Sequence, residues 1–189
     1  MKIQQKHVFG IFVAAIMVFS TFAFVLDFAT SNDTSLTYNN YEFIQTQQGY
    51  QTEINDKPIL FSHHPLQTTY LNMSPAAREL LANKTIIGIT YNPVDPFASP
   101  LAENQYYFEQ TLLILDATIV RGITHQPTLA LPQLTCLNAT PQFPVIELRV
   151  TNTTTIYAQG SCIIAEAIYP RELPAITTRL IYTIVGIMS

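Results

Sequence analysis

The chain has 189 residues, with 9 Lys and Arg against 13 Asp and Glu, which gives a formal net charge of −4 at pH 7. Apolar residues make up 48% of the sequence and charged residues 12%, about half of the usual share of roughly 25%. This composition excludes a disordered chain and a basic protein that binds nucleic acid, so no nucleic-acid partner is expected. The length suits one domain with an appendage.

The first apolar segment covers residues 8–26, and none of its 19 residues is charged. As a helix it would be about 28 Å long, close to the roughly 30 Å hydrocarbon core of a bilayer. Lysines precede the segment and aspartates follow it, so the positive-inside rule keeps residues 1–7 cytoplasmic and exports the rest of the chain. The lipid bilayer is therefore the first predicted partner, through residues 8–26.

A cleaved signal peptide is the competing interpretation of this segment. Its apolar region is usually shorter, about 7–15 residues, and it ends at a small-x-small cleavage site. Residues 23–33 contain no pair of small residues at that spacing without Phe or Asp intruding. We expect an uncleaved signal anchor in the cell membrane, and both interpretations place the remainder outside the cytoplasm.

Residues 27–40 are rich in Ser, Thr and Asn and predict a polar, flexible spacer. Beyond it, β-branched and aromatic residues indicate short strands with tight turns at Gln48-Gly49 and Asn55-Asp56. The strands of this predicted three-stranded meander cover residues 41–46, 50–54 and 58–62. Residues 41–189 are assigned to a single extracytoplasmic domain.

Helical and strand patterns alternate in the rest of the domain. Ser74-Pro75 predicts a short helix that ends near Asn83, because Ser is a favoured N-cap and Pro a favoured first residue. The apolar run 85–91 predicts a strand that is covered on both faces. Later β-like segments predict strands over residues 133–137, 145–150, 155–158 and 161–168.

Two further helices are indicated by apolar periodicity. Ser99-Pro100 begins the first, since apolar residues from Leu101 to Leu115 follow at steps of 7, 4 and 3 residues. Apolar residues from Leu173 to Ile187 mark an amphipathic helix at the end of the chain. The predicted fold class is an exported α/β domain with a mixed sheet, preceded by one transmembrane helix.

The two cysteines, Cys136 and Cys162, are separated by 25 residues and lie in strand-like surroundings. In an oxidising compartment they would pair and stabilise the fold by roughly 3–4 kcal/mol on the chain-entropy estimate. Two buried free thiols are the alternative. The spacing excludes a Cys-x-x-Cys redox couple.

The glycosylation sequence Asn-x-Ser/Thr occurs repeatedly, as expected for an exported glycoprotein. The candidate glycosylation sites are Asn32, Asn72, Asn83, Asn138 and Asn152. Thr-rich strands and helix caps would account for some of these matches.

No catalytic, cofactor or metal site is predicted. His63 and His64 directly follow the predicted strand 58–62; if the strand continued through them, these neighbours would point to opposite faces and could not chelate one metal together. The acidic residues are scattered, and neither a nucleophile motif nor a phosphate-binding Gly-rich loop occurs. The alternative to a binding function is an extracytoplasmic hydrolase that uses His63 or His64 with a carboxylate.

The chain also resembles a group of uncharacterised archaeal proteins with one amino-terminal membrane helix. Over residues 38–189 the resemblance is carried by YEFIQTQQGYQTEINDKPILFSHHP, TIIGITYNP, LTCLNATPQFPVIEL, CIIAEA and TRLIYTIVGIM. The chain departs from the group at Thr178, where an acidic residue would precede Arg179, and at Ala167, where Gly would be usual. The resemblance implies archaeal origin and a surface location but no activity. The predicted function is therefore binding at the cell envelope, to another envelope protein or a surface polymer.

Overall fold

The computed structural model describes residue 13 and residues 15–20, 35–125 and 131–188. The chain divides into two compact units, Met1–Thr34 and Ser35–Ser189. In the first unit Val13 and residues 15–20 are helical, and the rest of the predicted transmembrane segment 8–26 lies outside the described residues. Among the described residues, none of the helices combines the length and the apolar character that a membrane crossing requires.

The second unit begins with a four-stranded antiparallel meander. Its strands, in spatial order, are β1 (Ser35–Tyr38), β2 (Tyr41–Thr46), β3 (Gly49–Ile54) and β4 (Lys57–Phe61). The turns at Asn39-Asn40 and Asn55-Asp56 have positive φ at both residues, the conformation that two-residue hairpins require and that Asn and Asp tolerate. The predicted spacer 27–40 is therefore too long: Ser35–Tyr38 pairs with β2, so the fold begins before residue 41.

A six-stranded sheet follows, and it is mixed as predicted. Its strands are β5 (Asn72–Met73), β6 (Ile86–Tyr91), β7 (Thr118–Ile123), β8 (Val145–Val150), β9 (Thr155–Gln159) and β10 (Cys162–Ala167). The spatial order is β5-β9-β10-β8-β6-β7, and only the β9–β10 hairpin is antiparallel. The mixed α/β class is confirmed, although the strands form two sheets.

The α-helices of this unit are α1 (Pro75–Leu81), α2 (Ala98–Ile114) and α3 (Leu173–Ile184). The Ser74 side chain accepts a hydrogen bond from the Ala77 N–H, and Pro75 is the first helical residue, as the sequence predicted. Helix α3 is buried almost throughout, because it packs against β10, α1 and α2 and contacts the meander through Tyr182. Its Tyr182 ring contacts Phe61 at a centroid distance of 4.5 Å and Phe43 at 5.9 Å.

One predicted strand is wrong. Residues 133–137 form no regular strand; only Gln133 bridges to Ile123, and Cys136–Asn138 is a 3-10 turn. The side chains of Thr135 and Asn138 bond the backbone N–H groups of this turn and so replace the hydrogen bonds of a sheet. Conversely β7 was not predicted, since Arg121 and Gly122 interrupt its apolar pattern.

Candidate binding cleft beside the disulfide

The six-stranded sheet has two different faces. The face that packs on the helices and the meander is called the inner face, and the opposite face is called the outer face. Inner side chains belong to the main core, whereas the outer face has a small apolar cluster and several charged residues. The inner residues include Ile87, Ile89, Ile146, Leu148, Ile163 and Ala165. The outer residues include Val145, Glu147, Arg149, Cys162, Ile164 and Glu166.

A disulfide joins Cys136 to Cys162, which confirms the predicted pairing. The Cα atoms lie 5.1 Å apart, within the range of about 4.4–6.8 Å that disulfides occupy. Cys162 is buried at the start of β10, whereas Cys136 is partly exposed in the 3-10 turn. The bond therefore fastens the segment 131–144 to the outer face of the sheet.

Two glycines allow this segment to lie close to the sheet. A Cβ atom at Gly122 would overlap the Leu134 side chain, and one at Gly88 would come within 3.0 Å of Leu134 and Phe143. The Thr90 hydroxyl also donates a hydrogen bond of 2.8 Å to the Leu134 carbonyl oxygen. Glycine within a strand pattern was the signal in the sequence for this close approach.

Charged residues on the outer face form a compensated cluster. Arg149 Nε donates a hydrogen bond of 2.8 Å to Glu147 Oε1, and Arg149 Nη1 lies 4.0 Å from Glu166 Oε1. The hydrogen bond that Arg149 donates to Glu147 is the main reason that the pKa of Arg149 is raised. Glu147 Oε2 also lies 3.3 Å from Cys136 Sγ. The positive charge of Arg149 is thus neutralised by its neighbours.

A solvent-open cleft of about 610 Å³ lies above this cluster. It is lined by Asn92, Thr124, His125, Gln133, Thr135, Cys136, Leu137, Glu147, Arg149 and Gln159. Asn92 and Thr124 directly follow β6 and β7, so one end of the cleft lies at the carboxyl ends of these parallel strands, whereas Gln159 ends the antiparallel strand β9 and pairs with Cys162 at the start of β10. The strands β8 and β6 are neighbours in the sheet, but the chain continues from them in opposite directions: from β6 to β7 at one edge, and from β8 to β9 near the other edge. In open α/β sheets, ligands bind where the chain direction reverses in this way.

Hydrogen bonds hold several of the lining groups in place. Gln133 Nε2 donates to the Thr124 carbonyl oxygen at 3.1 Å, and the Thr124 hydroxyl lies 2.9 Å from His125 Nδ1. The Asn92 side-chain oxygen accepts from the Val94 N–H at 3.2 Å. The side-chain amide of Gln159 forms no hydrogen bond with any described residue. The cleft therefore combines positioned polar groups with at least one free amide.

Three residues of types that bind metals also lie close together at this position. One ligand atom each from Cys136, Glu147 and Cys162 lies within 4.8 Å of the others. A cysteine binds a metal as a thiolate, and in the disulfide neither sulphur is a thiolate. The oxidised protein therefore does not present these three residues as a metal site.

The two histidines named for the hydrolase alternative lie elsewhere. His64 is buried, its Nδ1 accepts from the Leu66 N–H at 3.3 Å, and its ring lies 4.9 Å from that of Phe43. His63 Nδ1 lies 2.9 Å from Ser62 Oγ. Burial lowers the pKa of both histidines. Within the described part of the chain, neither histidine side chain bonds to a carboxylate.

The predicted glycosylation sites are accessible where the structure describes them. Asn72, Asn83, Asn138 and Asn152 are exposed, and Asn32 lies outside the described residues. The Asn138 side-chain oxygen accepts from the Thr135 N–H at 2.9 Å, which leaves its amide nitrogen, the atom that carries a glycan, uninvolved in that bond.

Comparison with known protein families, curated proteins and solved structures finds no match to the chain. The cleft is therefore interpreted from its own chemistry. The sequence did not predict its lining residues, because they are far apart along the chain and meet only where strand ends share one edge. Thr124 and His125 could not be predicted as lining residues for a further reason, because the strand before them, β7, was itself not predicted.

Proposed function

We propose that the chain is a membrane-anchored domain on the outer side of the cell membrane that binds an uncharged, polar surface polymer in the cleft. The observation that carries this proposal is the set of amide and hydroxyl side chains at the carboxyl ends of β6 and β7. Ligands bind at such strand ends in open α/β sheets, whatever the chemistry of the ligand.

The charge balance of the cleft favours an uncharged ligand. Since Glu147 and Arg149, which both line the cleft, form an ion pair, the cleft offers hydrogen bonds with little net charge. Asn92, Gln133 and Gln159 each carry both donors and acceptors, which suits the hydroxyl groups of a sugar. Leu137 is 96% exposed at the rim and can contact the apolar face of a sugar ring. A glycan is accordingly the polymer that fits best.

The anchored, external location is part of the same proposal. It rests on the uncharged segment 8–26 and on the charges at its two ends. The disulfide supports it, because disulfides persist in oxidising compartments and are rare in the cytosol. The exposed Asn-x-Ser/Thr sites support it further, and the resemblance to archaeal surface proteins agrees with it.

A titration of the purified protein with neutral hexose and N-acetylhexosamine oligosaccharides tests the binding site. We expect chemical-shift changes in the NMR signals of the Gln159 and Asn92 side-chain amides, and at least about tenfold weaker binding in Gln159→Ala and Asn92→Ala. Gln45→Ala, an exposed amide on β2, is the matched control and should bind like the original chain. Equal affinity of all three variants would contradict the proposed site.

Protease added to intact cells tests the orientation. We expect cleavage beyond about residue 40 and protection of the amino-terminal segment, because only the domain faces outward under the positive-inside rule. A known external domain on the same cells serves as the positive control. If that control is cut and residues 41–189 stay intact until lysis, the proposed topology is wrong.

A hydrolase is the second candidate, and one observation favours it. Ser62 Oγ lies 2.9 Å from His63 Nδ1, and Ser62 lines a separate cavity of about 280 Å³ with Glu103 and Tyr107. Burial lowers the pKa of His63 and so favours the neutral ring, which could accept the Ser62 proton in an acyl transfer. A fluorophosphonate probe would then label Ser62, and Ser62→Ala would abolish labelling. Unlabelled protein would eliminate this candidate.

A further inference from the structure

Two arginines on neighbouring helices lack an acidic partner. Arg78 lies on α1 and Arg179 on α3, and among the described residues no ion pair within 4.0 Å involves either of them. The Nε atoms of both side chains are buried and have no hydrogen-bond partner. Arg179 is only 7% exposed. A buried guanidinium without an anion is strongly unfavourable, so this pair requires an explanation.

Within the described part of the chain, the Arg179 side chain donates to a single, weak acceptor. Its Nη1 atom lies 2.8 Å from the thioether sulphur of Met188, and a thioether accepts hydrogen bonds poorly. Burial, and then the positive charge of Arg78, lower the pKa of Arg179, whereas Tyr38 acts in the opposite direction. Both guanidinium groups therefore lie where a negative charge would be stabilised.

A cleft of about 460 Å³ borders Arg78 directly, and it also borders Met188, whose sulphur contacts Arg179. It is lined by Pro75, Arg78, Glu79, Ala82, Asn83, Thr183, Gly186 and Met188. Thr183 lies one turn after Arg179 on the same face of α3, so Arg179 is directed toward the same wall of the cleft. Glu79 is exposed at the rim and pairs with neither arginine.

The end of the chain folds back over Arg179. Gly186 has a φ of 79°, which reverses the chain after α3, and the N–H groups of Ile187 and Met188 then bond the Tyr182 carbonyl oxygen at 2.9 and 3.1 Å. This reversal places the Met188 side chain between the Arg179 guanidinium and the cleft. Met188 is an adaptable, unbranched side chain, and its sulphur also accepts from the Thr68 hydroxyl at 3.4 Å.

We propose that Arg78 and Arg179 form a binding site for a phosphate-like oxyanion, which enters this cleft and replaces the Met188 sulphur as the acceptor for Arg179. Planar guanidinium groups bind phosphate through paired, charge-assisted hydrogen bonds, and two of them can neutralise most of its charge. The anion could be free or carried on a larger molecule, since the site recognises only the phosphate group. This site is separate from the cleft on the outer face and does not depend on the function proposed there.

Titration with inorganic phosphate at constant ionic strength, against chloride, tests the site. We expect phosphate to raise the Tm. In calorimetry, Arg179→Met and Arg78→Met should each bind phosphate at least about tenfold more weakly than the original chain. Arg171→Met is the matched control: it removes the same charge at an exposed position next to α3 and should leave binding unchanged. Glycerol phosphate that binds as tightly as inorganic phosphate would identify a site open to carried phosphate groups; tighter binding of inorganic phosphate would identify a site for the free ion.

The titration is performed on the chain as it is and on a chain extended by Gly-Ser-Gly after Ser189, so that the result does not depend on the charge at the end of the protein used. Binding of phosphate to either form, lost in the two Met variants, supports the site. Arg78→Met remains informative if Arg179→Met does not fold, because Arg78 is only partly buried. No phosphate response in either form, or the same response in Arg78→Met, would overturn the proposal.

Discussion

The inner and outer faces of the six-stranded sheet are built from the same strands, yet they are stabilised differently. Ile163 and its inner neighbours join one large core that also includes α2, α3 and the meander. On the outer face, Ile164 belongs to a cluster of only four fully buried residues, closed by the segment 131–144 and the disulfide. Strand alternation thus produces a continuous core on one side and space for polar groups on the other.

Substitution of two adjacent isoleucines measures this difference directly. Ile163→Ala should lower the free energy of unfolding by about 4 kcal/mol, because rigid elements surround the cavity on the inner face. Ile164→Ala should lower the free energy of unfolding by only about 2 kcal/mol, since the segment 131–144 can move and partly fill the cavity. Both side chains are fully buried, so they form a matched pair. Urea unfolding with equal losses for the two variants would show that the faces are equally rigid.

The outer face buries fewer apolar side chains than the inner face, and the disulfide is expected to supply part of the stability that is missing there. Joint replacement Cys136→Ser and Cys162→Ser should cost about 3.5 kcal/mol on the chain-entropy estimate. It should also make the segment near Leu137 more sensitive to protease, whereas the inner core stays folded. Denaturant titration and limited proteolysis measure the two effects. Complete alkylation of both thiols in the native protein without reductant would contradict the bridge.

A smaller effect is expected from His64, which packs under the meander. Burial lowers its pKa below the ordinary value of 6.5, so the unfolded chain takes up a proton at a higher pH than the folded chain does. Stability should therefore fall as the pH decreases below about 6.5, and His64→Phe should make that decline less steep. His125→Gln is the exposed control and should leave the decline as it is. An unchanged slope in His64→Phe would show that His64 does not cause it.

Local signals explain which parts of the fold could be predicted. Ser74 and Pro75 begin α1, and Asn55-Asp56 forms a hairpin turn, because in each case the interacting groups lie within four residues of one another. The strand predicted over residues 133–137 was wrong although its composition suits a strand. The side chains of Thr135 and Asn138 form local hydrogen bonds with the backbone of a turn instead. A glycine at position 122 does not by itself predict a contact. Its role became clear only from the structure, in which Leu134 lies where a Cβ atom at residue 122 would be.

By itself the sequence determined the alternation of helices and strands, the meander and the pair of cysteines, since each follows from residue type, short-range periodicity or the presence of only two thiols. Only the tertiary structure decided that β8 lies between β10 and β6, which brings Glu166 of β10 beside Arg149 of β8, beneath Asn92 and Thr124. It alone also left Arg78 and Arg179 without an acidic partner in the described chain. The physical reason is that strand order and side-chain partners depend on contacts between residues distant in the chain, which short-range patterns do not encode.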